Sequence, residues 1–326
     1  MPNEANTPKE SKGLELAIAQ LERQFGSGSI MRLGNFNVES WPSVPTGAPS
    51  LDRILGIGGL PRGRVVEIYG PESSGKSTIA LSVVTEAQKL GLRCAYIDAE
   101  HALDPIYMQS LGVDLDNLLL AQPDYGEQAL EIVDRLVKTG EIGVVVVDSV
   151  ASLIPKAELE GEMESAQMGL QARLMAKAMR KLVGLASENK TLLIFINQLR
   201  SKIGIMFGNP ETTPGGMALK YAASVRIDIR KREDIKDKDG NSIGIGVKAK
   251  VIKNKMAPPL KMTEFDILYG KGIDKYGCYF DIALEKGIFS QRGAWVYHGE
   301  ESFAQGRDNA IYKLKERQDI LDQITS

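Results

Sequence analysis

Two observations predict an α/β fold with a mostly parallel sheet covered on both faces by helices. Short apolar strands alternate with amphipathic helices between residues 65 and 197, and Gly70-Pro-Glu-Ser-Ser-Gly75-Lys76-Ser77 stands between the first strand and the helix that follows it. In order, VVEIY (65–69) reads as a strand, 76–90 as a helix, CAYID (94–98) as a strand, 127–138 as a helix, and VVVVD (144–148) and TLLIFIN (191–197) as strands. These strands are apolar runs rather than alternations, as a parallel sheet buried on both faces requires. Past residue 220 the texture changes to alternating segments at 224–230, 245–253 and 263–268, with the charged stretch KREDIKDKDGNS expected to form a turn. Antiparallel strands extending the sheet are predicted there.

Ahead of this core, Leu14, Ala17, Ile18, Leu21 and Phe25 recur at helical spacing until Gly26-Ser-Gly28 stops the helix. A helix that short is marginal in water, so its apolar face needs a partner in its own core or in another subunit. Pro- and Gly-rich loops follow at 41–49 and 56–63. At the other end, a small module begins near Ile273 and is expected to end in a helix, its last twenty residues carrying four basic and four acidic side chains. The expected organisation is an N-terminal helix and oligomerisation arm over 1–37, a core over 38–272 and a small C-terminal domain over 273–326. The 326 residues suit about two domains at roughly 150 residues each.

Composition narrows the function classes. With 43% hydrophobic and 25% charged residues the chain is an ordinary globular one, not a disordered or fibrous one. Its 40 basic and 42 acidic residues deny it the global positive field of many nucleic-acid binders. Charge acts over about 8 Å, however, so a local basic stripe can still neutralise phosphates. Cys94 and Cys278 lack the spacing of a disulfide framework or a metal site and read as buried thiols in a reducing cytoplasm. The first thirteen residues hold no apolar signal region, and the longest apolar stretches fall far below the ~18 residues of a membrane span, so no membrane role is expected.

The glycine-bounded loop is a phosphate cradle. Its backbone N–H groups curl round a β-phosphate at a helix N-terminus, Lys76 reaches the β and γ oxygens, and the Ser77 hydroxyl suits Mg²⁺. Gly70, Pro71, Glu72, Ser73, Ser74, Gly75, Lys76, Ser77 and Thr78 are therefore candidate ATP-binding residues. Asp148, delivered at the carboxyl end of the Val144–Val147 run beside Ser149, is the second candidate for the magnesium shell. The strand CAYID leads into Ala99-Glu100-His101 at the same sheet edge, which makes Glu100 the candidate carboxylate for orienting a water. His101 is a possible base, although an isolated histidine is more often structural.

Strand 191–197 ends in Asn197-Gln198. The stretch LRSKIGIMFGNPETTPGG follows with no period of its own, so Gln198 is placed to transmit the state of a γ-phosphate to a long functional loop. A second such stretch, Pro155 to Glu164, runs into a predicted helix over 167–188. On that helix Arg173, Lys177, Arg180 and Lys181 share one face, and Leu174, Met175, Ala178, Leu182 and Leu185 form the other. Alone, a cationic stripe usually marks a solvated face. Beside two loops of an ATPase sheet it suggests a groove for a phosphodiester backbone, with Arg200 and Lys202 adding charge and Ile203, Met206 and Phe207 apolar surface for bases.

GPESSGKST, YIDAEHALDPIY, VVVVDSVASL, FINQLRSKIGIMFGNPETTPGG and VIKNKMAPP, in this order over nearly the whole chain, resemble the RecA family of bacterial DNA recombinases. The resemblance implies a RecA-type ATPase core and ATP bound between neighbouring subunits of a helical filament on single-stranded DNA. It implies pairing and strand exchange with a double-stranded DNA, and promotion of self-cleavage by the SOS repressor of the DNA-damage response. It further implies that Glu100 activates the attacking water, Gln198 senses the γ-phosphate, and Asp104 and Tyr107 contact adenine. Lys253 and Lys255 would act across the subunit boundary as an arginine finger does. Segments 156–169 and 199–213 are then the DNA-binding loops, with Arg173, Arg180, Arg200, Lys202, Gly215 and Gly216 as the DNA-contacting set. Met217 stands where a polar residue is usual and Tyr221 where Phe is common, and the charge-balanced end removes the expectation of an acidic restraining tail. The P-loop alone also suits a ring-forming helicase, which would unwind duplexes, or a small-molecule kinase, whose turnover would ignore DNA.

Overall fold

The computed structural model describes residues 12–27, 29–30, 41–161, 169–201 and 211–325. The chain divides into two units, Met1–Trp41 and Pro42–Ser326. In the first, Lys12–Phe25 is the predicted amphipathic helix, with none of its residues buried. Gly26, at φ +97°, ends it by donating its N–H to the Glu22 carbonyl.

The second unit is built on a nine-stranded sheet. Its order is Gly272–Ile273, Met262–Leu268, Ser242–Asn254, Val225–Lys236, Val65–Gly70, Leu192–Gln198, Ile142–Asp148, Arg93–Asp98 and Leu118–Ala121. From Val225–Lys236 to Leu118–Ala121 every pairing is parallel, and the remaining pairings are antiparallel, as the two sequence textures predict. The central strands are buried along their whole length: Val144, Val145 and Val146 are fully enclosed and Val147 almost so. Each such side chain contributes about 1.5–3 kcal/mol of burial, which is why apolar runs and not alternations occupy these positions.

On one face the helix Lys76–Lys89 packs Ile79, Val83 and Ala87 against Ile68, Val146 and Ile194. On the other, Gly126–Lys138 and Leu170–Asn189 pack Val133, Met175, Met179 and Leu182 against Ile97, Val145 and Phe195. A third core, Phe280, Phe289, Phe303, Leu314 and Ile320, lies within the C-terminal segment, whose three-stranded sheet is flanked by helices.

Two expectations need correction. KREDIKDKDGNS is not a turn throughout: one strand runs to Lys236 and the next resumes at Ser242, so the turn is 237–241, held by N–H groups of Asp239 and Asn241 on Asp237. An exposed ribbon tolerates charge, and here the charges pair, Lys231 with Asp234 at 2.7 Å and Arg232 with Glu264. The chain also closes with two helices, Arg307–Leu314 and Gln318–Thr325. The break lets Ala310 and Leu314 on the one, and Ile320, Leu321 and Ile324 on the other, reach the same core.

Candidate nucleotide site and DNA-facing surface

The register of the parallel strands gathers one set of side chains at their carboxyl ends. Gly70 lies level with Gln198, and Asp98 with Asp148. Ligands of open α/β sheets bind beyond this edge. The P-loop turns there because its bounding glycines have no alternative. A Cβ on Gly70 would lie 2.0 Å from the Ile229 carbonyl oxygen, and Gly75 adopts φ +92° as it caps the helix Lys76–Lys89. Ser74 Oγ and Lys76 Nζ both donate to the Pro71 carbonyl, at 2.8 and 2.6 Å, which folds the loop over its own helix N-terminus. Burial pushes the Lys76 ammonium below its ordinary range, against the opposing pull of Asp148, Glu100 and Glu72.

Ser77 Oγ donates to Asp148 Oδ2 at 2.7 Å, so the two predicted magnesium residues meet. The Tyr96 hydroxyl donates to the same oxygen at 2.8 Å, from a side chain that is fully buried. Sequence reasoning missed Tyr96. Nothing in CAYID marks it, because its place beside Asp148 depends on the register of the neighbouring strand. Burial, helped by Glu100 and Asp98, holds the Asp148 carboxyl above its ordinary range against the opposing Ser77 and Tyr96 hydroxyls. This donor set of hydroxyl and carboxylate oxygens fits a hard divalent cation. Among the described residues no cluster of three or more His, Cys, Asp or Glu could hold a metal, so the cation would complete its shell with phosphate and water, as Mg²⁺ commonly does.

Glu100 is held from two sides. Ser149 Oγ donates to its Oε1 at 2.5 Å and Gln198 Nε2 to the same oxygen at 2.9 Å, joining the predicted water-orienting acid directly to the predicted γ-phosphate sensor. Asp98, almost fully buried, accepts the Ala102 and Leu103 N–H groups and the Gln122 amide, and so shapes the turn that presents Glu100. His101 lies exposed in this turn at φ +54°, with no hydrogen bond from its ring among the described residues. Asp104 caps the short helix Pro105–Ser110 through the Ile106 N–H, and the Tyr107 hydroxyl lies 2.8 Å from Thr78 Oγ1. This Tyr107 contact ties the helix to the P-loop helix.

Lys253 and Lys255 are not at this edge. Arg226 pairs with Glu67 in the parallel ladder and with Lys253 in the antiparallel one, and the Lys255 N–H bonds the Ser224 carbonyl, whose own N–H bonds Val65. Lys253 therefore lies level with Glu67, the third residue of Val65–Gly70, and Lys255 level with Val65, while the P-loop leaves from the end of that strand, roughly 10 and 16 Å further along at 3.3 Å per residue. Lys253 Nζ donates to the Lys220 and Tyr221 carbonyls at 2.8 and 3.0 Å. Burial lowers its ammonium, and Lys255 and Arg226 reinforce the effect.

Of the predicted DNA-facing residues, Arg173 and Arg180 are exposed on Leu170–Asn189, and Arg200 is exposed in a two-residue strand paired with Glu211–Thr212. Lys181 belongs elsewhere: it bonds Asp134 at 2.7 Å, together with Lys138, and clamps two helices. Gly215 is buried and gives its N–H to Gln171, and Gly216 packs on Ala172, where a Cβ would come within 2.8 Å. Lys202, Ile203, Met206 and Phe207 lie outside the described residues.

Comparison with known proteins decides the family. A model of the RecA N-terminal domain matches residues 12–274 and one of the RecA C-terminal domain residues 277–326. The chain belongs to the RecA family. Protein RecA of Syntrophus aciditrophicus is 58% identical over 315 residues, covering 96% of this chain and 92% of that protein. Protein RecA of Symbiobacterium thermophilum is 55% identical over 97% of this chain and 91% of its own, and that of Caldanaerobacter subterraneus 54% over 97% and 92%. As a RecA-family member the chain is a DNA-dependent ATPase and recombinase that binds ATP, assembles as a filament on DNA and acts in recombinational repair and the DNA-damage response. That membership sets aside the kinase and ring-helicase readings of the P-loop. No helix among the described residues is long and apolar enough to cross a membrane.

Proposed function

We propose that the carboxyl edge of the sheet hydrolyses ATP with Glu100 as general base, and that a neighbouring copy's Lys253 and Lys255 complete the site. The observation that carries this reading is the pair of hydrogen bonds from Ser149 and Gln198 to Glu100 Oε1. They fix one oxygen and leave Oε2 without a protein partner among the described residues, free to accept a proton from a water. As the new O–P bond forms and the β–γ bridge breaks, that proton passes to Glu100. Lys76 and the P-loop N–H groups hold the β and γ oxygens, and Gln198 reports whether a γ-phosphate is present. Ser77 and Asp148 would hold Mg²⁺, which when bound would neutralise charge on the phosphates. Asp104, which caps the helix, and Tyr107, whose hydroxyl meets Thr78, would contact the adenine.

The lysines lie roughly 10 and 16 Å short of the carboxyl edge of their own chain's sheet, and this favours action in trans. Exposed Arg173, Arg180 and Arg200, with Lys202, supply the phosphate contacts to single- and double-stranded DNA, and Gly215 and Gly216 shape the return of the second loop. The DNA-bound filament would promote self-cleavage of the SOS repressor in the cytoplasm. The arm over 1–37 would serve oligomerisation, the segment 38–272 catalysis and DNA binding, and 273–326 would form the small accessory domain. ATP turnover measured with and without single-stranded DNA, alongside micrographs of the mixture, tests the scheme. Stimulated turnover on open helical filaments is expected; closed rings or turnover indifferent to DNA would refute it.

A further inference from the structure

Glu67 is a fully buried carboxylate in the middle of the sheet that touches no part of the nucleotide site. A buried ion pair is weak evidence for stability, since apolar replacements of similar volume often do as well, so its connections are the informative part. Both of its oxygens are used. Oε1 accepts the Asn197 amide at 3.0 Å, and the same Nδ2 reaches the Pro214 carbonyl at 3.2 Å. Asn197 precedes Gln198 and Pro214 follows residue 213, so this arm ties together the two ends of the segment 199–213. Oε2 accepts Arg226 Nε at 2.5 Å, with the guanidinium lying 4.7 Å over the Tyr69 ring. Arg226 faces Lys253 across the antiparallel ladder, and Lys253 in turn holds two carbonyls of the helix Ala218–Ala222, which also follows the loop.

We propose that Glu67 is a positioning residue that couples the DNA-binding loop to the lysines of its own chain, and through them to the nucleotide site of the neighbouring copy. The proposal rests on the trans reading of Lys253 and Lys255. When DNA seats the loop, Pro214 and Asn197 shift. One carboxylate serves both arms, so Glu67 carries that shift to Arg226 and the Lys253 strand. Nucleotide chemistry at one interface thereby depends on DNA held by the subunit next to it.

Asn197→Ala cuts the loop arm while leaving the Glu67–Arg226 pair charged and paired. Alone, it should bind a fluorescent ATP analogue as the parent does, yet lose about tenfold in DNA-stimulated turnover, within the usual size of coupling between sites. In filaments mixed with excess Lys76→Ala, whose own site is crippled but whose lysines are intact, turnover per Asn197→Ala site should recover. No loss, or no recovery on mixing, overturns the proposal; the second outcome would mean that Asn197 acts on its own site through Gln198. Lys253→Ala with Lys255→Ala, mixed in the same way, is the control: failure of that variant to recover strikes the trans reading itself. If Asn197→Ala unfolds, Asn197→Ser carries the same test with the same outcomes.

Discussion

The two ends of the parallel strands are built differently. At the carboxyl end the P-loop, Asp148, Glu100 and Gln198 are already bonded to one another: Ser77 to Asp148, Ser149 and Gln198 to Glu100. Further back along the strands, Lys253 is satisfied by backbone carbonyls and Lys255 is exposed, and among the described residues no hydrogen bond joins either side chain to the nucleotide edge. One end is a bonded cluster of acid, hydroxyl and amide, and the other a pair of cations bonded to none of it among the described residues. On the trans reading proposed above, an enzyme so divided would be complete only at a junction between copies, and assembly would be a condition of turnover.

The largest test of this asymmetry removes the cations. Lys253→Ala with Lys255→Ala should depress DNA-stimulated turnover by about 10³-fold, the lower range for a trans-acting cation, with nucleotide affinity nearly unchanged. Steady-state ATP hydrolysis beside equilibrium nucleotide binding separates the two effects. Normal turnover would mean that the carboxyl edge is sufficient by itself. Glu100→Gln attacks the other end: it keeps the hydrogen bond to Ser149 and removes the base, so turnover should fall about 10²-fold or more. Filaments should still form and should persist longer on DNA, as electron micrographs taken over time can show.

Much of this asymmetry is legible in the sequence, for an identifiable reason. A strand that ends in a loop residue of unusual chemistry, such as Val147-Asp148 or Asn197-Gln198, announces both its burial and its exposed tip. What was not legible depended on register. Nothing in VVEIY says that Glu67 will lie level with Arg226, or that Asn197, two strand positions further along, will reach it from the neighbouring strand. Tyr96 reads as one more apolar residue until the adjacent strand places Asp148 beside its hydroxyl. Short elements escaped too. Leu118–Ala121 spans four residues at the sheet edge with Leu119 and Leu120 half exposed, and Pro105–Ser110 is a single short helix whose only marks are the Asp104 cap and the proline after it.

A smaller effect probes how firmly the carboxyl edge is set. Tyr96→Phe deletes one hydroxyl from a side chain that otherwise keeps its packing, leaving Asp148 Oδ2 with Ser77 as its only bonded side chain among the described residues. A hydrogen bond to a charged group contributes about 1.5–3 kcal/mol, and with Ser77 still in place the change should lie at or below the low end of that range. The Mg²⁺ concentration giving half-maximal nucleotide binding should shift by a few-fold. Binding measured without the cation should stay put, and coincident magnesium titrations would show that Ser77 alone orients the carboxylate.

The smallest effect separates catalysis from the scaffold that supports both ends. Asp52, on the helix Pro49–Leu55, accepts the Thr46 N–H at 2.8 Å, and burial nevertheless pushes its carboxyl up to about 7. Glu86 adds to the rise, Thr46 and Lys275 oppose it, and Arg53, Tyr279 and Lys286 line the same cleft against the C-terminal segment. The folded state therefore keeps a proton that the unfolded chain, with an ordinary carboxyl near 3.8, has already released. Stability contributed by this group is greatest below the unfolded value and declines as pH rises from about 4 to about 7. Asp52→Asn keeps a neutral side chain at every pH and should flatten that decline, which urea unfolding at pH 5 and at pH 7.5 measures directly. An unchanged slope would place the group in contact with water, and DNA-stimulated turnover should not follow the variant in either case, because no hydrogen bond among the described residues joins Asp52 to the P-loop, Glu100 or Lys253.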